Sequence, residues 1–185
     1  YWEFGGRTYV FGFLSQTEQL VGDGLRAERF AELSTGTGYL GWLTLDLGLN
    51  LARVIVRDPD ILGDREPHLG AQSTPYTSVT LRPTSALRID LDWRNRVLYE
   101  EFGGPQLASQ PIWRAELEYF LVRDASIRHV FQYFERDDRA TNSSLLTWRP
   151  SPGALLFVGY REETPLGAGP AIRTVFIKAA NTLAF

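Results

Sequence analysis

Five leucines, Leu43, Leu45, Leu47, Leu49 and Leu51, occupy every second position of the run LTLDLGLNLA at residues 43–52. Thr44, Asp46, Gly48, Asn50 and Ala52 fill the positions between them. A period of two sends successive side chains to opposite faces of a strand. The run therefore predicts a strand with one wholly apolar face and one polar face. Strands of soluble domains are usually about 5–6 residues long. A tilted strand that crosses a bilayer needs about 9–11.

The pattern recurs. In residues 86–100, Leu87, Ile89, Leu91, Trp93, Val97 and Tyr99 share one face, and Arg88, Asp90, Asp92, Arg94, Arg96 and Glu100 share the other. In 112–121, Trp113, Ala115, Leu117, Tyr119 and Leu121 oppose Arg114, Glu116 and Glu118. In 126–135, Ile127, Phe131 and Tyr133 oppose Arg128 and Gln132. A closing row of Val175, Ile177, Ala179, Leu183 and Phe185 opposes Thr174, Lys178, Ala180 and Thr182. Less regular strands are expected at 7–16, 25–33, 76–82, 143–149 and 154–162. The total is about ten, an even number, as expected of a bacterial outer-membrane barrel.

The links between strands carry a second signal. Read back from the C-terminus, long links (162–170, 135–142, 101–111, 57–70) alternate with tight ones (149–153, 122–126, 82–85, 34–38). The tight ones are rich in Pro, Gly, Asp and Ser, as turns require. Transmembrane barrels have this asymmetry, with short periplasmic turns and longer external loops. Trp93, Tyr99, Trp113, Tyr119, Tyr133 and Trp148 lie toward strand ends, where rings suit the headgroup girdles.

Alternation alone does not say which face meets water. In a soluble barrel or sandwich the apolar row is core. In a membrane barrel it faces lipid and the polar row lines the lumen. The long rows and the sorted links favour the second. The fold expected is all-β: an antiparallel, up-and-down transmembrane β-barrel of about ten strands, or the C-terminal part of a larger one, forming a single domain over 1–185. Lipid is then expected at Leu43, Leu45, Leu47, Leu49, Leu51, Leu87, Ile89, Leu91, Leu117, Ile177, Leu183 and Phe185. The lumen is expected at Asp46, Asn50, Arg88, Asp90, Asp92, Arg94, Arg96, Arg114, Glu116, Glu118, Arg128 and Lys178. A barrel of this size leaves little free space once side chains fill it.

Composition adds exclusions. The chain has no cysteine, which rules out disulfides, thiolate catalysis and Cys-ligated metal. It has no methionine and begins at Tyr1, so it reads as processed or as part of something longer. The net charge of −3 gives no broad case for nucleic acid, and the arginines are interleaved with acids. The bilayer is the expected partner, together with other envelope or extracellular subunits, and no cofactor is expected.

Four segments together carry a resemblance: TSVTLRPTSALRIDLDWRNRV, IWRAELEYFLVRDASIRHVFQYFERD, SLLTWRPSPGALLFVGYREE and RTVFIKAANTLAF. In this order they resemble the C-terminal barrel of bacterial outer-membrane proteins that carry an N-terminal carbohydrate-binding (family 9-like) domain. The resemblance covers residues 76–185. It implies a barrel of the outer membrane, and the family's sugar-binding domain has no counterpart in this sequence. A closing strand that ends on an aromatic residue also resembles the signal by which such barrels are recognised for assembly.

The rows Arg88–Arg96 and Arg114–Glu118 can form an ion-pair ladder on neighbouring strands. It would rigidify a narrow lumen or line a path for a small polar solute. A glycosidase-like pair, Asp90 with Asp92, suits poorly, because flanking arginines keep both ionised. His68 and His129 have no metal-ligand spacing, and the acidic loop with Asp58, Asp60, Asp64 and Glu66 lacks the calcium-loop pattern. His129 and Ser144 could meet on adjacent strands, as a membrane-embedded hydrolase would need, but nothing in the sequence activates Ser144. No catalytic residue is assigned. The expected role is a membrane anchor or scaffold in an envelope assembly. The alternatives are a pore for small polar solutes and a soluble β-barrel that binds lipid.

Overall fold

A computed structural model describes residues 1–5, 7–21, 24–58, 61, 63, 66–151, 153–167 and 169–181. Among these residues eleven strands form one sheet in which each strand neighbours those next to it in sequence. They are β1 (Trp2–Phe4), β2 (Thr8–Val21), β3 (Gly24–Thr37), β4 (Leu43–Val56), β5 (His68–Thr84) and β6 (Leu87–Tyr99). After them come β7 (Gln106–Val122), β8 (Ala125–Phe134), β9 (Arg139–Ser151), β10 (Ala154–Pro165) and β11 (Ile172–Asn181). The registered pairs are antiparallel. The all-β, up-and-down architecture is as expected from the alternation. The strand beyond the expected ten is β1.

Most boundaries move outward: β2–β5, β7, β9 and β10 are longer than their alternating parts, while β6 lies within the expected 86–100 and β8 is shifted by one residue from the expected 126–135. β5 starts at His68, β7 at Gln106 and β9 at Arg139. Backbone N–H and C=O groups pair whether or not the side chains alternate, so ladders extend past the patterned stretch. The long links shrink accordingly to 57–67, 100–105, 135–138 and 166–171. The turn expected at 34–38 moves to 38–42, because β3 runs on to Thr37. There Gly38 N donates to Arg7 O at 3.1 Å and Leu43 N to Leu40 O at 3.0 Å. One link breaks the sorting. β2 ends at Val21 and β3 begins at Gly24, at the end that otherwise carries the long links. At the β9–β10 turn Gly153 has φ +86°, a left-handed conformation that suits glycine.

The chain divides into two compact units. The first comprises Tyr1–Tyr39, Thr44–Ser78 and Trp93–Pro111. Its β2–β3–β4 ladder sets Tyr9, Gly36 and Asp46 in line on one face, and Val10, Thr35 and Leu47 on the other. Its tightest apolar packing is small: Val56 and Leu98 against Val54, Ile61, Leu107 and Ala108. Val54 and Val56 continue the row of Asp46 and Asn50, so the polar row of β4 turns apolar next to the 57–67 link.

The second unit comprises Leu40–Leu43, Val79–Asp92 and Ile112–Phe185. In its β7–β11 ladder, Tyr119, Ile127, Leu146, Val158 and Ile177 line up across five strands. Phe176 lies directly opposite Gly159. Its ring takes the space a Cβ there would need, with ring carbons at 2.1 and 2.2 Å from that position.

Candidate functional site

The candidate site is the polar rows, and exposure shows how they differ from the apolar ones. Leu14 is 80% exposed, Leu33 62% and Leu47 43%. Leu49, Leu51, Leu91, Leu117 and Ile177 are also exposed. Leu43, Leu45, Leu87 and Ile89 are half-buried. Leu183 and Phe185 lie outside the described residues. The polar rows are the better covered in several places. Asp46, Asn50, Asp90, Asp92, Arg114, Glu116 and Glu118 are all half-buried. The side chains of Asp90 and Glu116 are only 14% and 15% exposed. Arg88, Arg94, Arg96, Arg128 and Lys178 are exposed. In water this distribution runs against the hydrophobic effect, which contributes about 25 cal/mol per Å² of apolar surface buried.

In the first unit the polar face is built on small residues. The Tyr9 hydroxyl donates to Asp46 Oδ1 at 2.8 Å. The Tyr76 hydroxyl donates to Glu32 Oε1 at 3.0 Å. Gly36 and Gly48 admit these rings: a Cβ at Gly48 would lie 2.2 Å from Tyr76 Cζ. Near the strand ends Glu28 Oε1 accepts from Ile55 N at 3.0 Å, and Gln19 Nε2 donates to Glu28 Oε2 at 3.0 Å. Asn50 Oδ1 is buried and has no partner among the described residues. Phe11, Phe13 and Phe30 also project from this face, and Phe13 and Phe30 pack 6.2 Å apart between ring centroids.

In the second unit the expected ladder is present in part. Arg88 grips Asp90 with both arms, Nε to Oδ2 at 2.7 Å and Nη2 to Oδ1 at 3.0 Å. Thr80 Oγ1 donates to Asp90 Oδ1 at 2.5 Å. Arg114 bridges Glu116 and Asp92, the latter at 3.6 Å, and Arg128 stands 3.9 Å from Glu116. Glu118 pairs in register with Arg128. A cavity of ≈ 410 Å³ opens beside Arg82, Arg88 and Glu118. Arg94 and Arg96 belong to the first unit, where Arg96 Nε donates to Gln72 Oε1 at 2.7 Å.

His129 and Ser144 meet as their positions allowed. They are directly paired in register, with Nδ1 and Oγ 2.9 Å apart. Both lie on the row of Leu117 and Tyr160. Among the described residues no group orients the other ring nitrogen, so the pair lacks the third member that activates a serine. The described residues hold no cluster of His, Asp and Glu able to bind a metal. Asp60 and Asp64 of the acidic loop lie outside the described residues. The register also sorts the rings. Trp113 stands opposite Tyr133 but in mid-β7, and Trp93 is the central residue of β6, so of the rings expected near strand ends Tyr99, Tyr119, Tyr133 and Trp148 lie there.

No family model and no curated protein matches this chain. Among solved structures, one of the NanC porin is similar at a TM-score of 0.43 and 12% identity, over 95% of this chain and 99% of that one. No helix among the described residues is long and apolar enough to cross a membrane, a criterion that leaves crossing by strands open.

Proposed function

We propose that this chain is a membrane-embedded β-barrel, or part of one, in the outer membrane of a Gram-negative bacterium. Its role is to anchor or scaffold an envelope assembly. One observation carries the reading: Leu33, Leu47, Leu49, Leu91 and Leu117 on the apolar rows are exposed, while Asp46, Asp90 and Glu116 on the opposite rows are half-buried and paired. Water would select the reverse, and a hydrocarbon solvent selects this. Strand length supports it. From Leu43 to Leu51 the row extends about 26 Å at the usual rise per residue, which on a strand tilted by about 40° covers about 20 Å of an apolar band about 25 Å tall.

The anchor reading rests on how the polar rows are filled. Arg88, Asp90, Arg114 and Glu116 are occupied with one another, and Tyr9 and Tyr76 lie across glycines. Such a face leaves little passage for solute. A pore for small polar solutes is the second reading, favoured by the cavity beside Arg82, Arg88 and Glu118. Conductance in planar bilayers separates the two: an anchor passes no steady current.

A spin-label scan of β4 tests the membrane reading itself, and no native cysteine interferes. Labels at Leu45, Leu47 and Leu49 should be reached by oxygen from the lipid phase, and labels at Asp46 and Asn50 should not. If the leucine positions report bulk water and the protein stays soluble without detergent, the chain is a soluble β-fold and the proposal fails.

A further inference from the structure

On the apolar face of the first unit, three neighbouring rows change character at the same register. Leu14 gives way to Gln16 on β2, Ala31 to Arg29 on β3, and Leu51 to Arg53 on β4. Arg29 and Arg53 are thereby brought directly opposite each other. Like charges at opposed positions repel, since their Cβ atoms sit about 4.5–5.5 Å apart. Neither forms an ion pair among the described residues. Arg29 Nε donates only to Gln16 Oε1, at 3.1 Å. The contrast is with Arg173, which holds Glu162 at 2.8 Å. Arg29 and Arg53 line a groove of ≈ 800 Å³ together with Leu14, Ala31 and Leu51, and Phe30 and Phe102 also border it. The groove is therefore amphipathic, combining an unneutralised pair of arginines with a lining that is mostly apolar.

We propose that Arg29 and Arg53 bind the phosphate of a phosphorylated lipid, with its acyl chains lying along Leu14, Ala31 and Leu51. A phosphate offers oxygens to two guanidinium forks at once and removes their mutual repulsion. The arginines end the leucine row, which places the phosphate at headgroup height. This inference rests on the membrane reading above.

The test uses the full chain reconstituted in phosphatidylcholine vesicles, with spin-labelled phosphatidic acid or phosphatidylcholine added in turn. Lipid held at the protein surface gives a motionally restricted component. Phosphatidic acid should associate about fivefold more strongly than phosphatidylcholine, or better, since each basic residue at the surface contributes on that scale. The R29Q/R53Q variant should bring the ratio to about one, R29K/R53K should retain part of it, and R173Q should leave it unchanged. Removing two facing charges relieves repulsion, so the double variant should fold. Equal association in the native chain, or selectivity that survives R29Q/R53Q, overturns the proposal. So does loss of selectivity to inorganic phosphate beyond that caused by chloride at equal ionic strength, because the site would then take free phosphate. If neither lipid shows a restricted component, the membrane reading itself has failed. If both do so equally, only the phosphate site has.

Discussion

Tyr9 and Asp46 meet across Gly36, on the strand between them. The phenol donates to the carboxylate at 2.8 Å, and the two groups fill the space that a side chain at position 36 would need. A Cβ there would lie 2.0 Å from Asp46 Oδ1 and 2.5 Å from Tyr9 Cε1. Overpacking of this kind costs about 1–3 kcal/mol. Gly36→Ala should therefore lower the midpoint of denaturant unfolding in vesicles, and adding Tyr9→Ala should recover much of the loss. An unchanged midpoint in Gly36→Ala would show that the ring moves aside freely.

Position along β4 should set the cost of a charge on the leucine row. Arginine at the bilayer midplane costs about 2–4 kcal/mol and near the interface about 0–1. Leu47→Arg should thus destabilise strongly and Leu43→Arg, at the first residue of the strand, weakly. Unfolding free energies from guanidinium titration in vesicles decide it. Equal small effects at the two positions would mean that Leu47 faces water.

Arg114 serves two carboxylates, Glu116 and Asp92. Deleting one partner of a buried pair costs about 3–5 kcal/mol. Arg114 is more than a third exposed, at 38%, so solvent screening reduces this to about 1–2 kcal/mol. A double-mutant cycle of Arg114→Met and Glu116→Gln should return a coupling of about 1 kcal/mol, diminished by salt. A coupling indistinguishable from zero would remove the ladder as a source of rigidity.

His129 and Ser144 share a hydrogen bond, and among the described residues no third group orients the histidine. Hydrolysis of a fluorogenic lipid ester by the purified chain should match that of Ser144→Ala. A rate that drops in Ser144→Ala and in His129→Ala would assign the pair a catalytic role.

The alternation in LTLDLGLNLA and its repeats was enough to place most strands, their antiparallel succession and the membership of each row. Period two is a local property, set by the pleat within one strand. The ladder around Arg114 was legible for the same reason, since its acids and bases lie on consecutive strands. The ends of β5, β7 and β9 were not, because pairing continues where the side-chain pattern stops.

What the sequence by itself determined is which side chains travel together. Only the tertiary structure decided which rows come side by side and at what height. Arg29 and Arg53 sit in unremarkable segments 24 residues apart, and the β3–β4 register makes them neighbours. His129 and Ser144 became a hydrogen-bonded pair in the same way. The glycines at 36 and 48 acquire their purpose only when the rings of Tyr9 and Tyr76 lie across them. Register is fixed between strands by turns and by a whole face of contacts, and none of that is written in one strand alone.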